Sequence, residues 1–155
     1  MANQYLTFTL NGFLYALEVF KVQEVLIYTQ PAKVPCAQNY VEGIISSRGE
    51  GISVVDLRKR FKLPEAEPTK DTRIIVIEIK RPTEEDPDHI CTFGAIADSV
   101  QEVMELEETQ VAPPPKFGNN ISSEFISALG KNGDDFIIVL DAEKIFSASD
   151  VPKLN

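Results

Sequence analysis

Chemistry in a protein needs nucleophiles, acid–base groups or metal ligands at workable spacing, and this chain offers few. Its one histidine, His89, closes the acidic run Arg81–His89 (RPTEEDPDH). Any Ser-His-Asp or Cys-His device would have to use that imidazole. No G-x-S-x-G elbow accompanies it, and Cys36 and Cys91 stand far apart outside any metal or redox motif. Glu84, Glu85, Asp86 and Asp88 supply carboxylates, but not in the D-x-D-x-D-G-x5-E order of a calcium loop. Charged hairpin tips of this kind commonly serve solubility. The loop SSRGEG at 46–51 could cradle an anion through its backbone, or could be a turn in which glycine accepts a positive φ. It has neither the length nor the lysine of a P-loop. The residues therefore point away from catalysis, and neither a cofactor nor a metal site is expected.

The elements that would position a site are mostly strands. Tyr5–Leu10 alternates apolar and polar residues, Asn11-Gly12 fits a primed turn, and Phe13–Leu17 resumes the alternation. Val19–Tyr28 has apolar residues at 19, 22, 25 and 26, a spacing open to a helix. Its β-branched content and the prolines at 31 and 35 favour a turn running into a strand. Strands follow at Ile44-Ile45, Ile52–Val55, Arg73–Lys80, Ile90–Ala97 and Val100–Leu106, and Phe125–Leu129 and Phe136–Leu140 flank an Asn132-Gly133 turn. Asp56 and Asp141 stand at N-cap positions of two brief helices, the second near the C-terminus. Two strings recur about half a chain apart. VQEV stands at 22–25 and again at 100–103, and VVDLRKRF at 54–61 is echoed by VLDAEKIF at 139–146. The pattern implies an all-β chain duplicated into two small barrels, with the link near the polar, proline-bearing segment 64–71.

With 155 residues, 43% hydrophobic content and a formal charge of −9, the chain reads as an ordinary globular domain. The acidic balance argues against nucleic acid and against an anionic membrane surface as partners. No apolar run approaches the roughly 20 residues needed to span a bilayer, so no direct membrane insertion is expected. The N-terminal residues lack a secretory signal pattern, and a cytoplasmic location follows as the expectation.

Read in order, the strings QYLTFTLNGFLYALEVFKVQEV, YVEGIISSRGEGISVVDLRKRF, ADSVQEVMELEETQVAPPPKF and FISALGKNGDDFIIVLDAEKIF resemble the CheW family of chemotaxis coupling proteins along almost the whole chain. The most specific piece is G-I-x-x-x-R-G-x-x-x-x-V-V-D-L-R, present as GIISSRGEGISVVDLR. The resemblance implies two SH3-like five-stranded barrels around a shared core and no catalysis. It implies bridging of chemoreceptor cytoplasmic tips to the regulatory domain of a CheA-type histidine kinase, beneath receptor arrays. On that resemblance Leu6, Val19, Val22, Val25 and Val103 would line a receptor groove between the barrels, although each valine alone could equally be core. Pro31, Ala32, Glu42, Gly43 and Ser53 would meet the kinase. Lys116 and Phe117 would make a ring-closing contact, and Glu24 would pair with Arg48. Three departures leave the partners open: Ser46-Ser47 replaces the usual Asn-Leu, Ser53 replaces a proline, and the acidic loop is long for the family. A pilus-motility or surface-sensing array is one alternative, and a small-ligand-binding β-barrel is another.

Overall fold

The computed structural model describes residues 3–35, 38–113 and 123–146. Eleven strands form in chain order among these residues: β1 Asn3–Leu10, β2 Phe13–Glu18, β3 Val22–Ile27, β4 Val41–Ser47, β5 Glu50–Asp56, β6 Arg73–Lys80, β7 Ile90–Ala97, β8 Ser99–Leu106, β9 Val111–Ala112, β10 Ile126–Asn132 and β11 Asp135–Leu140. Two one-turn helices, α1 Leu57–Arg60 and α2 Ala142–Ile145, follow β5 and β11. Each begins where its aspartate accepts a backbone N–H, Asp56 from Arg58 at 3.0 Å and Asp141 from Glu143 at 3.1 Å.

The strands sort into two sheets. One runs β3-β6-β7-β5-β4; the other runs β8-β1-β2-β11-β10-β9 and gains its sixth strand only from the two-residue β9. Each sheet packs around an interior of its own. Ile45, Ile52, Val54, Ile74 and Val76 fill the first, and Tyr5, Ala16, Leu106, Ile137 and Val139 fill the second. The opposite faces meet in a larger shared core that includes Phe8, Leu17, Ile75, Ile77, Phe93 and Phe146. Strand β6 explains how one sequence serves both: Ile74 and Val76 point one way, Ile75 and Ile77 the other, and all four are fully buried. The expected architecture of two small β units about a common core is present. Aromatic rings cross the junction, with Phe93 stacked on Phe146 at 4.5 Å and Tyr15 on Phe61 at 6.3 Å.

The duplication is visible in the topology. In one sheet β3 pairs β6, β6 pairs β7, and β7 lies parallel to β5; in the other β8 pairs β1, β1 pairs β2, and β2 lies parallel to β11. The two sheets are thus equivalent strand for strand, except that β1 and β2, the counterparts of β6 and β7, come from the start of the chain. This permutation moves the junction. Segment 64–71 joins α1 to β6, and the strands on either side of it, β5 and β6, lie in the same sheet. The chain passes between sheets at the 3₁₀ turn Val19–Lys21 and again at Asp98, not at 64–71.

Candidate functional site

The repeated VQEV builds the most distinctive surface feature. In a regular strand, residues three apart point to opposite faces. Here Val22 pairs Ile77 and Val25 pairs Ile75, so three steps on β3 match two on β6. On the other sheet Val100 pairs Phe8 and Val103 pairs Leu6, again three steps against two. Each copy therefore contains a β-bulge, and the extra residue returns both valines of V-x-x-V to the face of the shared core. Thr7 stabilises the second bulge: its buried hydroxyl donates to the Glu102 carbonyl at 2.8 Å and accepts from the Glu102 N–H at 3.1 Å.

Both bulged strands are sheet edges, and this divides the valines into pairs. Val22 and Val100 pack against the shared core, whereas Val25 and Val103 are 39% and 51% exposed. Leu6, the ladder partner of Val103 on β1, is buried in that core. Ile27, two residues beyond Val25 and on the same face, is 78% exposed. Its counterpart beyond Val103 is Glu105. Each edge strand thus offers aliphatic side chains along the face that turns toward the common core. Of the five residues expected to line a groove, Val25 and Val103 are free to touch a partner, Val19 and Val22 are half-buried, and Leu6 is floor. Ile27 was missed although the alternation Val25-x-Ile27 signals it.

The second expected set converges in part. Ala32 exchanges two backbone hydrogen bonds of 2.9 Å with Ile44, laying the 31–32 segment along β4. Gly43 makes room for this contact: its φ is +147°, and a Cβ there would lie 2.1 Å from the Ala32 carbonyl oxygen. Pro31, Ala32, Glu42 and Gly43 are therefore neighbours, but Pro31 and Gly43 are buried, which leaves Ala32 and the half-buried Glu42 to reach the surface. Ser53 is buried too, in its place between β4 and β7. Ala32 and Ile44 also share an oily cleft of about 610 Å³ with Val25 and Ile27, so the two expected binding sets adjoin. Glu42 is held by Lys59 at 2.7 Å, beside the Asp56 carboxyl, which burial pushes above its ordinary value and Glu42 pushes further.

The expected Glu24–Arg48 ion pair does not form. Glu24 accepts instead from the Ser47 hydroxyl at 3.0 Å. Arg48 and Gly49 both have positive φ, +52° and +81°, the signature of a primed two-residue turn, and the Arg48 side chain is exposed at its tip. Lys116 and Phe117 lie outside the described residues.

Charged groups hold the two sheets in register around this site. Asp98, at the crossing from β7 to β8, accepts from Arg58 Nε at 2.9 Å, Arg58 Nη2 at 2.6 Å and the Asn11 N–H at 2.8 Å. Burial alone would raise its carboxyl, but these donors hold it below the ordinary carboxylate value. The same charge, with burial the larger cause, pushes the Tyr15 hydroxyl up to about 12. Across the molecule Arg60 lies between the rings of Tyr40 and Phe125, 4.3 and 4.8 Å from their centroids, and donates to the Ile145 carbonyl at 2.7 Å. Arg81 donates to the carbonyls of Glu143 and Phe146. Two arginines from the five-stranded side thus satisfy carbonyls of α2 on the other.

His89 is exposed on the acidic loop, 4.0 Å from Asp86. Among the described residues no cluster of His, Cys, Asp or Glu could hold a metal ion, and no helix is long and apolar enough to cross a membrane.

Comparison with known proteins agrees with this geometry. The family model described as CheW-like domain matches residues 4–150. The chain is 31% identical to the chemotaxis protein CheW of Treponema pallidum over 97% of its own length and 86% of that protein. It is 26% identical to that of Klebsiella aerogenes over the same shares. The crystal structure of the scaffolding protein CheW from Thermoanaerobacter tengcongensis superposes with a TM-score of 0.81 at 31% identity, covering 99% of each chain. Two bulged edge strands about a common core and a match spanning nearly every described residue place the chain in the CheW-like domain family.

Proposed function

We propose that this chain is a non-enzymatic scaffold that couples chemoreceptor cytoplasmic tips to the regulatory domain of a CheA-type histidine kinase at arrays under the membrane. The observation that carries this is the pair of V-x-x-V bulges. They leave Val25, Ile27 and Val103 exposed at the edges of the shared core, which supports docking of the apolar stripe of a helical hairpin there. Recognition is then helix-in-groove, with a few aliphatic anchors supplying most of the affinity. Ala32 and Glu42, set on the buried Pro31 and Gly43, are the kinase-facing surface. This surface is built on backbone hydrogen bonds and a glycine contact, so it keeps its shape before a partner arrives. Because Val25, Ile27 and Ala32 border one cleft, receptor and kinase are held side by side rather than at opposite ends of the molecule.

The test is reconstitution: the purified chain, a receptor cytoplasmic fragment and the kinase from the same genome. Binding to both, with receptor-dependent change in kinase autophosphorylation, is the expected result. Failure to bind the kinase and to alter autophosphorylation would refute the proposal. The substitutions at Ser46-Ser47 and Ser53 and the long acidic loop favour a receptor–kinase set of a pilus-motility or surface-sensing pathway as the second reading; pairing the chain with kinases of both kinds decides between them.

A further inference from the structure

The acidic loop is larger than the fold requires. Its hairpin, β6–β7, is the counterpart of β1–β2, which closes with only Asn11-Gly12, whereas residues 81–89 separate β6 from β7. The added residues are organised. The Arg81 N–H donates to the His89 carbonyl, the Thr83 and Asp86 backbones bond each other through the Thr83 N–H and hydroxyl, and Asp86 receives the Asp88 N–H at 3.0 Å. This order leaves Glu84, Glu85, Asp86 and Asp88 exposed. Arg81, the cation nearest in sequence, turns inward to α2.

The loop springs from the rim of an apolar cleft. Lys80 and Ile90, the strand residues that flank it, pair with each other and line the cleft with Phe20, Ile79, Lys21, Glu78 and Glu143. Phe20 is 75% exposed and Ile90 51%, on a surface where Lys21 is already engaged by Glu18 at 3.6 Å and Glu143 at 3.4 Å. Lys80 is the only cation of this rim without such an engagement among the described residues, against four loop carboxylates and Glu78. A large aromatic exposed beside a second apolar side chain marks a contact surface, and the excess of negative charge beside it selects the sign of what binds.

We propose that the Phe20–Ile90 cleft and the adjoining loop form a further docking surface for a basic amphipathic segment of a partner protein, with one bulky apolar anchor flanked by Lys or Arg. The anchor enters between Phe20 and Ile90, and its flanking cations meet Glu84, Glu85, Asp86 and Asp88. The surface lies past the start of β3, beyond the end of the strand opposite Ile27, so it can be occupied together with the receptor groove.

The test is titration of the isotope-labelled full chain, followed by NMR, with a short helical Lys/Leu peptide and its Glu/Leu counterpart. The expected result is shifts at residues 20–21 and 80–90 with the basic peptide only. Affinity should fall roughly tenfold on raising salt to about 0.3 M, because exposed charges are screened within a Debye length. Phe20→Ser should weaken binding roughly tenfold, as loss of an anchor does. The combined Glu84→Gln, Glu85→Gln variant should fold, retain weaker binding and show a shallower salt response, while Val103→Asp should leave binding intact. Equal binding of the acidic peptide, shifts confined to β3 and β8, no binding at low salt, or self-association through Phe20 in sedimentation would each overturn the proposal.

Discussion

Replacing Val103 with aspartate separates the groove from the core it borders. Val103 is 51% exposed, so a partner that covers it removes about half of its surface from water. Full burial of a valine is worth about 1.5–3 kcal/mol, so the covered half contributes about 1 kcal/mol. A carboxylate in the same place must shed water against an apolar stripe without a partner, costing about 2 kcal/mol more. The sum of about 3 kcal/mol corresponds to a roughly 100-fold loss of receptor affinity. Folding should suffer by less than about 1 kcal/mol, since exposed positions tolerate substitution. Leu6, directly across the ladder and 7% exposed, gives the contrast: Leu6→Asp should prevent folding. The assay is calorimetric binding of Val103→Asp to a receptor fragment and, separately, to the kinase, with chemical denaturation as the stability control. Receptor affinity within threefold of the parent, or equal loss toward both partners in a folded variant, would refute the groove.

Other outcomes follow from single contacts. Gly43→Ala must displace the Ala32 carbonyl from a 2.1 Å clash, so it should cost about 2 kcal/mol in denaturation and weaken kinase binding more than receptor binding. Asp98→Ala leaves Arg58 Nε and Nη2 and the Asn11 N–H without their acceptor and should cost about 2 kcal/mol. The Asp98 carboxyl is depressed in the fold, so its stabilisation is present above the ordinary carboxylate value and is lost as pH falls through the lower folded-state value; Asp98→Asn should flatten that acid limb in thermal melts. Arg48→Gly relieves a non-glycine positive φ and should melt at or slightly above the parent temperature, by roughly 0.5–1 kcal/mol, while receptor-controlled autophosphorylation weakens. Loss of fold in Arg48→Gly would show instead that this side chain is structural.

Most of the strands were legible because hairpins leave local marks: Asn11-Gly12 forms the β1–β2 turn, the second hairpin turns one residue later than expected, at Gly133-Asp134, and Asp56 and Asp141 cap helices as their spacing implies. The junction was not legible. Strand equivalence under a permutation depends on which strands pair, and a polar proline-bearing segment such as 64–71 looks the same whether it joins sheets or strands of one sheet. Instead of pairing with Arg48, Glu24 accepts from Ser47, and the positive φ that sets Arg48 in its turn is a backbone property that the residue type argues against. Ser53 failed because a central position in a parallel pairing buries a polar residue that sequence places at the surface.

The repeated tetrapeptide shows why one pattern can mislead locally and still be right globally. Valines three apart are the spacing of a helix face, and on β3 they invite that reading. A bulge gives a strand the same three-residue return at the cost of one unpaired residue, and it also bends the edge. Two bulges on equivalent edge strands then do together what neither sheet does alone: each commits its first valine to the core and leaves its last at the rim. The rims are not identical, since Ile27 follows on one side and Glu105 on the other. Under the proposed function, that inequality would give a symmetric scaffold a direction and seat a helical hairpin with one apolar and one polar-edged flank in one orientation. Exchanging the two characters, Ile27→Glu with Glu105→Ile, should leave the shared core untouched and reverse or abolish productive receptor coupling while the kinase patch keeps its affinity; unchanged receptor control in that double variant would show that the asymmetry carries no orientation.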